Sequence, residues 1–382
     1  MYSNANACRP RLILLENSLH KTGAFNSALY IAKALHYTHD VELVIPTSSK
    51  LHSDLSAAGI VCHRLPMVEV GRSWRKLLLY IPILAFNALN LHRLLIRRNA
   101  TVLMVNDYYN MLGVCVRLTG WGGKILTVVR LLPANQHRLL NRIWTTLGMM
   151  FTHHMIAVSG AVARQLPSDP KVVLLYNPIG LTEKYSSFFK RTGGAGDGLI
   201  YCLYPANYIA GKGHGTALEA FARAYRDCPS LRLRFVGGDM GLEKNRDLKA
   251  ELLVKAAQLR VQDVVIVDGF SADIELDIKN SDIILNFSES ESFSHTCIEA
   301  SAFGKPIIAT RCGGPEEIVE NDVTGLLVDI GDLPAMVAAI LRLANSPSTR
   351  QNMGEAGRLA VWKKFSERSF LDGFHSLLSS SS

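Results

Sequence analysis

Two carboxylates, Glu291 and Glu299, bracket a stretch of this 382-residue sequence in which almost every local signal agrees with the next. A loop at 288–293 follows a short apolar run, and small, helix-compatible residues continue from 294 to 303. On a parallel sheet, ligands bind at the carboxyl ends of strands, where a helix N-terminus offers free N–H groups to an anion. The segment Ser288–Thr296 is therefore predicted to bind an anionic ligand beside two acids.

The residues on either side predict the elements that position this loop. The Ile-rich apolar run 282–287 is typical of a buried strand that enters a loop. Gly304 stands where a helix stops, and the run 306–310 predicts the next buried strand. The whole stretch is thus predicted to be a β-loop-α-β unit of a parallel sheet.

Both acids also have a purely structural interpretation. The segment Thr296–Glu299 fits a capping box, in which Glu299 would turn back to the N-cap amide and bind no ligand. Glu291 could be a solvated loop acid like its neighbour Glu289, to which we assign no role. A capping box, however, does not require a second carboxylate and a Gly-Lys-Pro at set distances.

The segment 288–319 carries a resemblance to a known family. The string S-E-S-E-S-F-S-H-T-C-I-E-A-S-A-F-G-K-P-I-I-A-T, followed by G-G-P-E-E-I-V, resembles the donor-site signature of the retaining family 4 glycosyltransferases, which have the GT-B fold and include bacterial polysaccharide and lipopolysaccharide enzymes. The resemblance implies that Glu291 lies beside the donor sugar and that Glu299 takes the ribose hydroxyls of the nucleotide. It also implies a donor site with the backbone at Phe293, Ser294, His295 and Thr296.

Further segments resemble the same family. Lys212, in the segment 204–214, matches the lysine that holds the donor diphosphate, and Asn207 stands where the family has an arginine. A solvated turn lysine is the structural alternative, and a Walker A loop is excluded because Gly213 follows Lys212. The turn that receives the base matches Gly269 and Phe270.

Two positions of the first half depart from the family pattern. Only Gly23 remains of the Gly-Gly pair that approaches the donor diphosphate, in a loop predicted at 16–25. Arg130 stands where many members have a histidine, and we expect its side chain to face the ligand cleft. His153 and His154 are predicted to be structural, because no third ligand lies at metal spacing.

Length and composition predict two domains. A chain of 382 residues with 48% hydrophobic content exceeds what one core usually serves. The resemblance implies an α/β fold of GT-B type, with two Rossmann-like domains whose parallel sheets face a central cleft. The predicted parts are an acceptor-binding domain (1–185), a Gly-rich linker (186–198), a nucleotide-sugar donor domain (199–362) and a C-terminal helix that packs back on the first domain (363–382).

Charge is distributed unevenly between the two halves. Residues 1–190 hold 21 Lys and Arg against 8 Asp and Glu, whereas the remainder holds 20 against 25. No nucleic-acid-binding motif accompanies this basic surface, so we expect no nucleic acid and favour an anionic membrane. The apolar run 77–86 is too short to span a bilayer; it predicts either a sheet-covering helix or an interfacial helix that follows the cluster Arg72-Ser-Trp-Arg-Lys76.

The cysteines and the first residues indicate a location. Seven scattered cysteines without a Cys-x-x-Cys pair indicate a reducing compartment. The first eleven residues lack the apolar core of a signal peptide. We therefore expect a cytoplasmic protein, peripheral on the inner face of the membrane.

The resemblance implies a retaining glycosyltransferase that moves a hexose-type sugar from a nucleotide-diphosphate donor to a glycan or lipid-linked oligosaccharide acceptor, and we expect it to be metal-independent. No Asp-x-Asp triplet occurs, and no cofactor is expected. Lys212 and Glu291 are the expected catalytic residues. A nucleotide-sugar epimerase is the alternative. A dinucleotide-dependent oxidoreductase would need Gly-x-Gly-x-x-Gly after the first strand, which is missing, and a sugar-binding module would not need Lys212 with both acids.

Overall fold

The computed structural model describes residues 9–67, 74–179 and 198–379, with the backbone alone for 74–79. The chain divides into two compact units: the first extends to residue 180 and includes the C-terminal residues from 367, and the second is 181–366. Each is a Rossmann-like α/β unit, which confirms the predicted fold class. Apart from Gly198, the predicted linker 186–198 lies outside the described residues.

The first unit is built on a parallel sheet that has seven strands within the described residues. In chain order the strands are β1 (Arg11–Glu16), β2 (Asp40–Pro46), β3 (Val61–Leu65), β4 (Ala100–Asn106), β5 (Lys124–Val129), β6 (His154–Ala157) and β7 (Val172–Leu174). Their spatial order is β3-β2-β1-β4-β5-β6-β7. The strand order therefore reverses between β1 and β4, and this is where doubly wound sheets bind ligands.

Helices cover the faces of this sheet. They are α1 (Gly23–Leu35), α2 (His52–Ala57), α3 (Trp74–Arg97), α4 (Leu112–Leu118), α5 (Arg138–Phe151) and α6 (Gly160–Ala163). The second half of α3 buries Ala88, Leu91, Leu94 and Leu95 in the core formed with β1, β4 and β5. This half covers the sheet, but it follows the run 77–86 to which the two predictions refer, so it does not decide between them. Arg72 and the side chains of 74–79 lie outside the described residues.

The second unit repeats the same plan. Its strands are β8 (Ile200–Pro205), β9 (Leu231–Val236), β10 (Val265–Val267), β11 (Ile283–Asn286), β12 (Ile307–Thr310) and β13 (Leu326–Val328). Within the described residues the parallel order is β10-β9-β8-β11-β12-β13, with the reversal between β8 and β11. The helices are α7 (His214–Asp227), α8 (Glu243–Gln258), α9 (Ile274–Lys279), α10 (His295–Ala302), α11 (Leu333–Asn345) and α12 (Pro347–Lys364).

The last helix, α13 (Glu367–Ser379), belongs to the first unit. It buries Phe370, Phe374 and Leu377, and the ring of Phe374 meets His39 edge to face with 5.7 Å between centroids. The chain is not helical at Phe365 and Ser366, between α12 and α13. This interruption lets the chain leave the second unit and return to the first. None of the described helices is long and apolar enough to cross a bilayer.

Candidate active site

The predicted binding loop and the predicted lysine lie at the switch point of the second unit. Lys212 is in the connection after β8, and Glu291 is in the connection after β11. These two strands are direct neighbours in the sheet. Two segments that are 79 positions apart in sequence therefore meet at the carboxyl edge, where ligands of such sheets bind.

Lys212 and Glu291 form an ion pair there. Lys212 Nζ donates to Glu291 Oε1 at 2.6 Å, and Ser288 Oγ donates to the same oxygen at 2.9 Å. The side chain of Glu291 is mostly buried and that of Lys212 is about one-third exposed. Glu291 is therefore a mostly buried carboxylate that two hydrogen bonds fix beside an ammonium group. It is not the solvated loop acid of the structural interpretation.

A buried tyrosine fixes the two loops relative to each other. The hydroxyl of Tyr204 donates to the carbonyl of Lys212 and accepts from the amide of Phe287 at 2.9 Å. Burial raises the pKa of this tyrosine, so it stays a neutral donor. A backbone hydrogen bond from Glu289 N to Gly211 O, 2.8 Å long, adds a second link between the loops.

Close approach explains the glycines on both sides of this site. Gly213 has a φ of +71°, and a Cβ on it would stand 1.9 Å from the carbonyl oxygen of Phe287. A Cβ on Gly314 would stand 2.8 Å from Cα of Phe293. Gly314 N also donates to Glu291 O at 2.7 Å. The Gly-Lys-Gly and Gly-Gly segments therefore let backbone pack directly against the binding loop.

The helix after the loop starts at an N-cap that differs from the one in the alternative capping box. Ser294 is the N-cap of α10, and its Oγ accepts from Cys297 N at 3.3 Å. Thr296 lies inside the helix and donates to Pro205 O at 3.1 Å. The alternative capping box of Thr296 and Glu299 is therefore wrong, because Glu299 is five residues beyond the true N-cap.

Glu299 is partly buried on α10. Burial, with Glu275 nearby, raises the pKa of its carboxyl to about 7. Helix α10 begins at His295, beside the ring of Phe293, and its free backbone amides lie at this end. The positive end of the helix dipole thus points to the loop that holds Glu291, and it would stabilise an anion there.

The other predicted donor residues line the same edge of the sheet. Asn207 follows β8, and its Oδ1 accepts from Gly238 N at 2.9 Å, which ties this loop to the turn after β9. Gly269 accepts from Gly237 N at 3.1 Å, and the Phe270 ring is exposed and within 4 Å of where a Cβ on Gly238 would stand. Sequence reasoning did not single out Tyr204, since its role depends on contacts between two loops that are distant in sequence.

The first unit places Gly23 and Arg130 differently from the sequence expectation. Gly23 is the first residue of α1, after the N-cap Thr22, so the predicted loop 16–25 ends earlier. Arg130 is only 6% exposed and donates from Nη1 to Asn177 Oδ1 at 3.0 Å and from Nε to Asn106. Its guanidinium thus points into the interior of the first unit instead of being open to a ligand, and burial lowers its pKa to about 10.

A buried aspartate accompanies Arg130 at the end of β4. Asp107 accepts hydrogen bonds from the amides of Tyr108 at 2.9 Å and Arg130 at 3.4 Å. Burial raises its pKa to about 7, because these amides and the charge of Arg130 only partly offset the loss of solvation.

Among residues 9–67, 74–179 and 198–379, no three His, Cys, Asp or Glu side chains are grouped so that they could hold a metal ion.

Comparison with known proteins finds a family model that matches part of the chain. Residues 187–360 match the family model described as "Glycosyl transferases group 1". The chain is 29% identical over 126 residues to N-acetyl-alpha-D-glucosaminyl L-malate synthase of Bacillus anthracis, which is 33% of either protein. It is 27% identical over 169 residues to the lipopolysaccharide core biosynthesis glycosyltransferase LpsD of Rhizobium meliloti (strain 1021), which covers 44% of this chain and 47% of LpsD.

These two matches span less than half the length of either curated relative. A crystal structure of Anabaena HepE in complex with UDP-glucose resembles the whole chain more evenly: the TM-score is 0.81, and the match covers 97% of this chain and 100% of that one. The identity is 17%, so the likeness shows the fold alone. That fold is the predicted GT-B architecture of two Rossmann-like units.

Proposed function

From the premise that residues 187–360 form a glycosyl transferases group 1 domain, we propose that the chain is a retaining glycosyltransferase. It moves a hexose-type sugar from a nucleotide-diphosphate donor to a lipid-linked glycan in polysaccharide or lipopolysaccharide synthesis. The observation that carries the proposal is the 2.6 Å contact between Lys212 Nζ and Glu291 Oε1 at the switch point of the second unit.

Each side chain has a role in this reaction. The ammonium group of Lys212 opposes the negative charge that grows on the diphosphate as the sugar leaves, and the N-terminus of α10 contributes its amides and dipole to the same charge. Glu291 holds the sugar beside Lys212, and its own position is kept by Ser288 Oγ. Glu299 accepts hydrogen bonds from the ribose hydroxyls.

Retention follows from a front-face route. The leaving phosphate oxygen takes the proton of the acceptor hydroxyl, the bond from the sugar to the phosphate breaks, and the bond to the acceptor forms on the same face. A covalent route would need a carboxylate on the opposite face of the sugar. Lys212 and the helix dipole supply the charge that a bridging metal would otherwise supply, so we propose that no metal is required.

A product assay tests the function directly. UDP-glucose, which HepE binds, is the first donor in a panel of radiolabelled nucleotide sugars, with and without lipid extract. We expect transfer of label to an extractable glycolipid with one donor. An epimerase would instead convert the donor sugar without any acceptor. No labelled product with any donor, together with no nucleotide binding by calorimetry, would refute the proposal.

The anomeric configuration of the product tests the stereochemistry. NMR coupling constants of the transferred sugar should match those of the donor. The same assay with a chelator tests the metal-free route, because activity that disappears with the chelator and returns with a divalent cation would contradict it.

A further inference from the structure

The loop that carries Lys212 runs from the end of β8 to the start of α7, and its own residues do little to fix it. Lys212 lies between Gly211 and Gly213, whose φ angles are +84° and +71°. Glycines lose more conformational freedom on folding than other residues, so this loop must be held by contacts. Gly213 is also the N-cap of α7, and it has no side chain with which to cap the helix.

His214, the first residue of α7, is buried directly after this loop and is 3% exposed. Its ring stacks on that of Tyr208, with 5.1 Å between the ring centroids and 30° between the ring planes. It also packs against the rings of Tyr204 at 5.2 Å and Phe235 at 5.9 Å. All three aromatic residues are themselves buried, so the imidazole has a fixed place beside the lysine loop.

The imidazole makes a hydrogen bond across the two ends of the loop. His214 Nε2 lies 3.2 Å from the carbonyl oxygen of Ala206, the residue that follows β8. A carbonyl oxygen only accepts, so Nε2 carries the proton and donates. Burial lowers the pKa of His214 to about 4, and the charge of Lys212 lowers it further, so the ring is neutral at pH 7.

This bond ties the lysine loop to the sheet. Ala206 is fixed to the end of β9, because Ala206 N donates to Val236 O at 2.9 Å. On the other side of the loop, the hydroxyl of Tyr204 donates to Lys212 O. The backbone of Lys212 is therefore held directly by Tyr204 and, through the start of α7, by the bond from His214 to Ala206.

The backbone of Lys212 decides where its ammonium group lies. Lys212 Nζ meets Glu291 Oε1 at 2.6 Å. A lysine is a point charge on a flexible stem and has no rigid fork of donors, so its position depends on how firmly the chain beneath it is anchored. Stabilisation of a developing charge requires donors that are already in place before the charge appears. A loosened loop would thus weaken the interaction of Lys212 with a terminal phosphate.

We propose that His214 is a positioning residue for Lys212: its Nε2–H group closes the loop at Ala206 and so fixes the ammonium group where the diphosphate binds. His214 acts through Lys212 and not on the substrate itself. The inference rests on the proposed function, because that proposal assigns the diphosphate to Lys212. It adds that the neutral, buried ring next to the lysine is a condition for this role.

Calorimetry with a nucleoside diphosphate and its monophosphate tests the position of Lys212. UDP, GDP, ADP, CDP and dTDP are screened, and the one that binds most tightly is compared with its own monophosphate. The ratio of the two affinities isolates the terminal phosphate and cancels the contacts of base and ribose. Lys212→Ala calibrates the measurement and should lower this ratio about tenfold or more, the loss of a charged hydrogen bond.

Two amide variants separate the hydrogen bond from the ring packing. In His214→Gln the side-chain nitrogen reaches the place of Nε2 and can donate to Ala206 O, whereas the shorter side chain of His214→Asn does not reach it. We expect His214→Gln to keep the wild-type ratio within about twofold and His214→Asn to lower it about threefold to tenfold, the effect of one lost hydrogen bond. Both variants lose the ring, so instability from lost stacking affects them alike.

Phe221→Leu is the matched control for stability. Phe221 lies farther along the same helix, is fully buried and stacks on Tyr225 with 6.0 Å between ring centroids. Its replacement should lower the midpoint of thermal unfolding and leave the affinity ratio unchanged. Heteronuclear NMR of the histidine rings at pH 7 tests the tautomer without any nucleotide. The signals that disappear in His214→Gln should be those of a neutral ring protonated at Nε2.

Four results would each overturn the inference: a wild-type ratio in His214→Asn, a ratio in His214→Gln as low as in His214→Asn, an equal fall in Phe221→Leu, or a His214 ring protonated at Nδ1. Its failure is distinguishable from failure of the proposed function. If Lys212→Ala lowers the ratio while both His214 variants keep it, only the inference is wrong. If Lys212→Ala keeps the ratio, or no nucleoside diphosphate binds, the donor site itself is wrong and the inference falls with it.

Discussion

Glu299 is a carboxyl whose pKa is raised to about 7 by burial, with Glu275 nearby. If it accepts hydrogen bonds from the ribose hydroxyls, the ionised carboxylate binds the nucleotide better than the protonated carboxyl does. Since the carboxyl loses its proton as the pH rises through about 7, nucleotide affinity should increase from pH 5.5 to pH 8 and then level off.

Glu299→Gln should weaken binding of the free nucleotide product at pH 8 by about 1 to 3 kcal/mol, the cost of replacing a charged hydrogen-bond acceptor. It should also remove most of the pH dependence. Calorimetry at several pH values measures both effects. Glu289→Gln, the neighbouring loop acid without an assigned role, is the control. Unchanged affinity in Glu299→Gln would leave this acid with a structural role only.

Lys212 is expected to act mainly in the transition state. Lys212→Ala should lower turnover at saturating donor by about a hundredfold or more, because the ammonium opposes charge that grows as the phosphate leaves. Steady-state kinetics measure this, with the exposed Lys244→Ala as control.

The variant also leaves Glu291 without its cation, since the two side chains are paired at 2.6 Å. The double variant Lys212→Ala with Glu291→Gln separates the effects. If the double variant recovers most of the turnover, the loss came from the unpaired carboxylate and not from the missing charge on the donor. Equal turnover in wild type and Lys212→Ala would remove the lysine from the mechanism.

At the scale of elements, one buried acid connects three neighbouring strands at the edge of the first sheet. Glu42 on β2 is buried and pairs with Arg11 of β1, Arg98 after α3 and His63 of β3. Burial alone would raise the pKa of Glu42, yet the hydrogen bonds from Arg98 and His63 keep it below its ordinary value. The network therefore stabilises the fold in the ionised state.

Glu42→Gln should lower the free energy of unfolding by about 2 to 3 kcal/mol, below the range for fully buried pairs because Arg11 and Arg98 are partly exposed. A depressed carboxyl pKa means that this stability is present above the unfolded-state pKa and is lost as the pH falls through the folded-state value. Denaturant unfolding at pH 7 and at decreasing pH below about 4.5 measures this. The difference between wild type and variant should shrink in acid.

Asp40→Asn provides the matched control for this network. Asp40 is more exposed than Glu42 and lies 3.4 Å from Arg11. Loss of the Asp40 charge should lower the free energy of unfolding by less than about 1 kcal/mol, the usual value of a surface ion pair. An effect of Asp40→Asn as large as that of Glu42→Gln would contradict the view that burial makes Glu42 decisive.

The elements that sequence reasoning found are those whose own residues specify them. β11 and β12 were predicted to within one residue at each end, as the runs 282–287 and 306–310, because the apolar residues that specify a strand lie within the strand itself. Helices α5 and α8 were missed. Neither has a side-chain N-cap, since α5 follows His137 and α8 follows Leu242, so the usual start signal is lacking.

The site residues also divide into those that local sequence motifs specify and those that only the fold reveals. Glu291 and Lys212 were found from motifs, but their contact depends on β8 and β11 being neighbours, which the sequence shows only by resemblance. Tyr204, which bridges the two loops, lies in an apolar strand and gives no signal as a site residue. Asn87 interrupts an apolar run on α3, and only the fold reveals that its oxygen has no hydrogen-bond partner among the described residues and that the residue lines a cavity.

At the scale of the whole molecule, the first unit exposes apolar side chains on two of its helices. On α3, Ile81 is 72% and Phe86 56% exposed. On α5, Leu139, Ile143 and Met150 are exposed together with the cations Arg138 and Arg142. A helix with exposed apolar residues and arginines is typical of attachment to an anionic membrane surface, and a lipid-linked acceptor would be presented there.

We therefore propose that the first unit attaches reversibly to anionic membranes. Each basic residue near such a surface contributes about 1 kcal/mol, screened beyond a Debye length of about 8 Å at physiological salt. Partial insertion of the apolar side chains adds to this attraction. Attachment should thus be stronger to acidic than to neutral liposomes, and high salt should weaken it.

Flotation with neutral or acidic liposomes at low and high salt measures this attachment. Charge reversal at Arg138 and Arg142, or at Arg72, Arg75 and Lys76, should release the protein from acidic liposomes. Reversal of the exposed Lys244 and Arg246 in the second unit changes the net charge by the same amount as the Arg138 and Arg142 pair, and it should have no effect. If only the Arg138 and Arg142 variant is released, α5 is the attachment helix and the cluster Arg72-Ser-Trp-Arg-Lys76 has no part in attachment. Equal flotation with neutral and acidic liposomes, or release by the second-unit control alone, would show that the basic first unit does not hold the protein on the membrane.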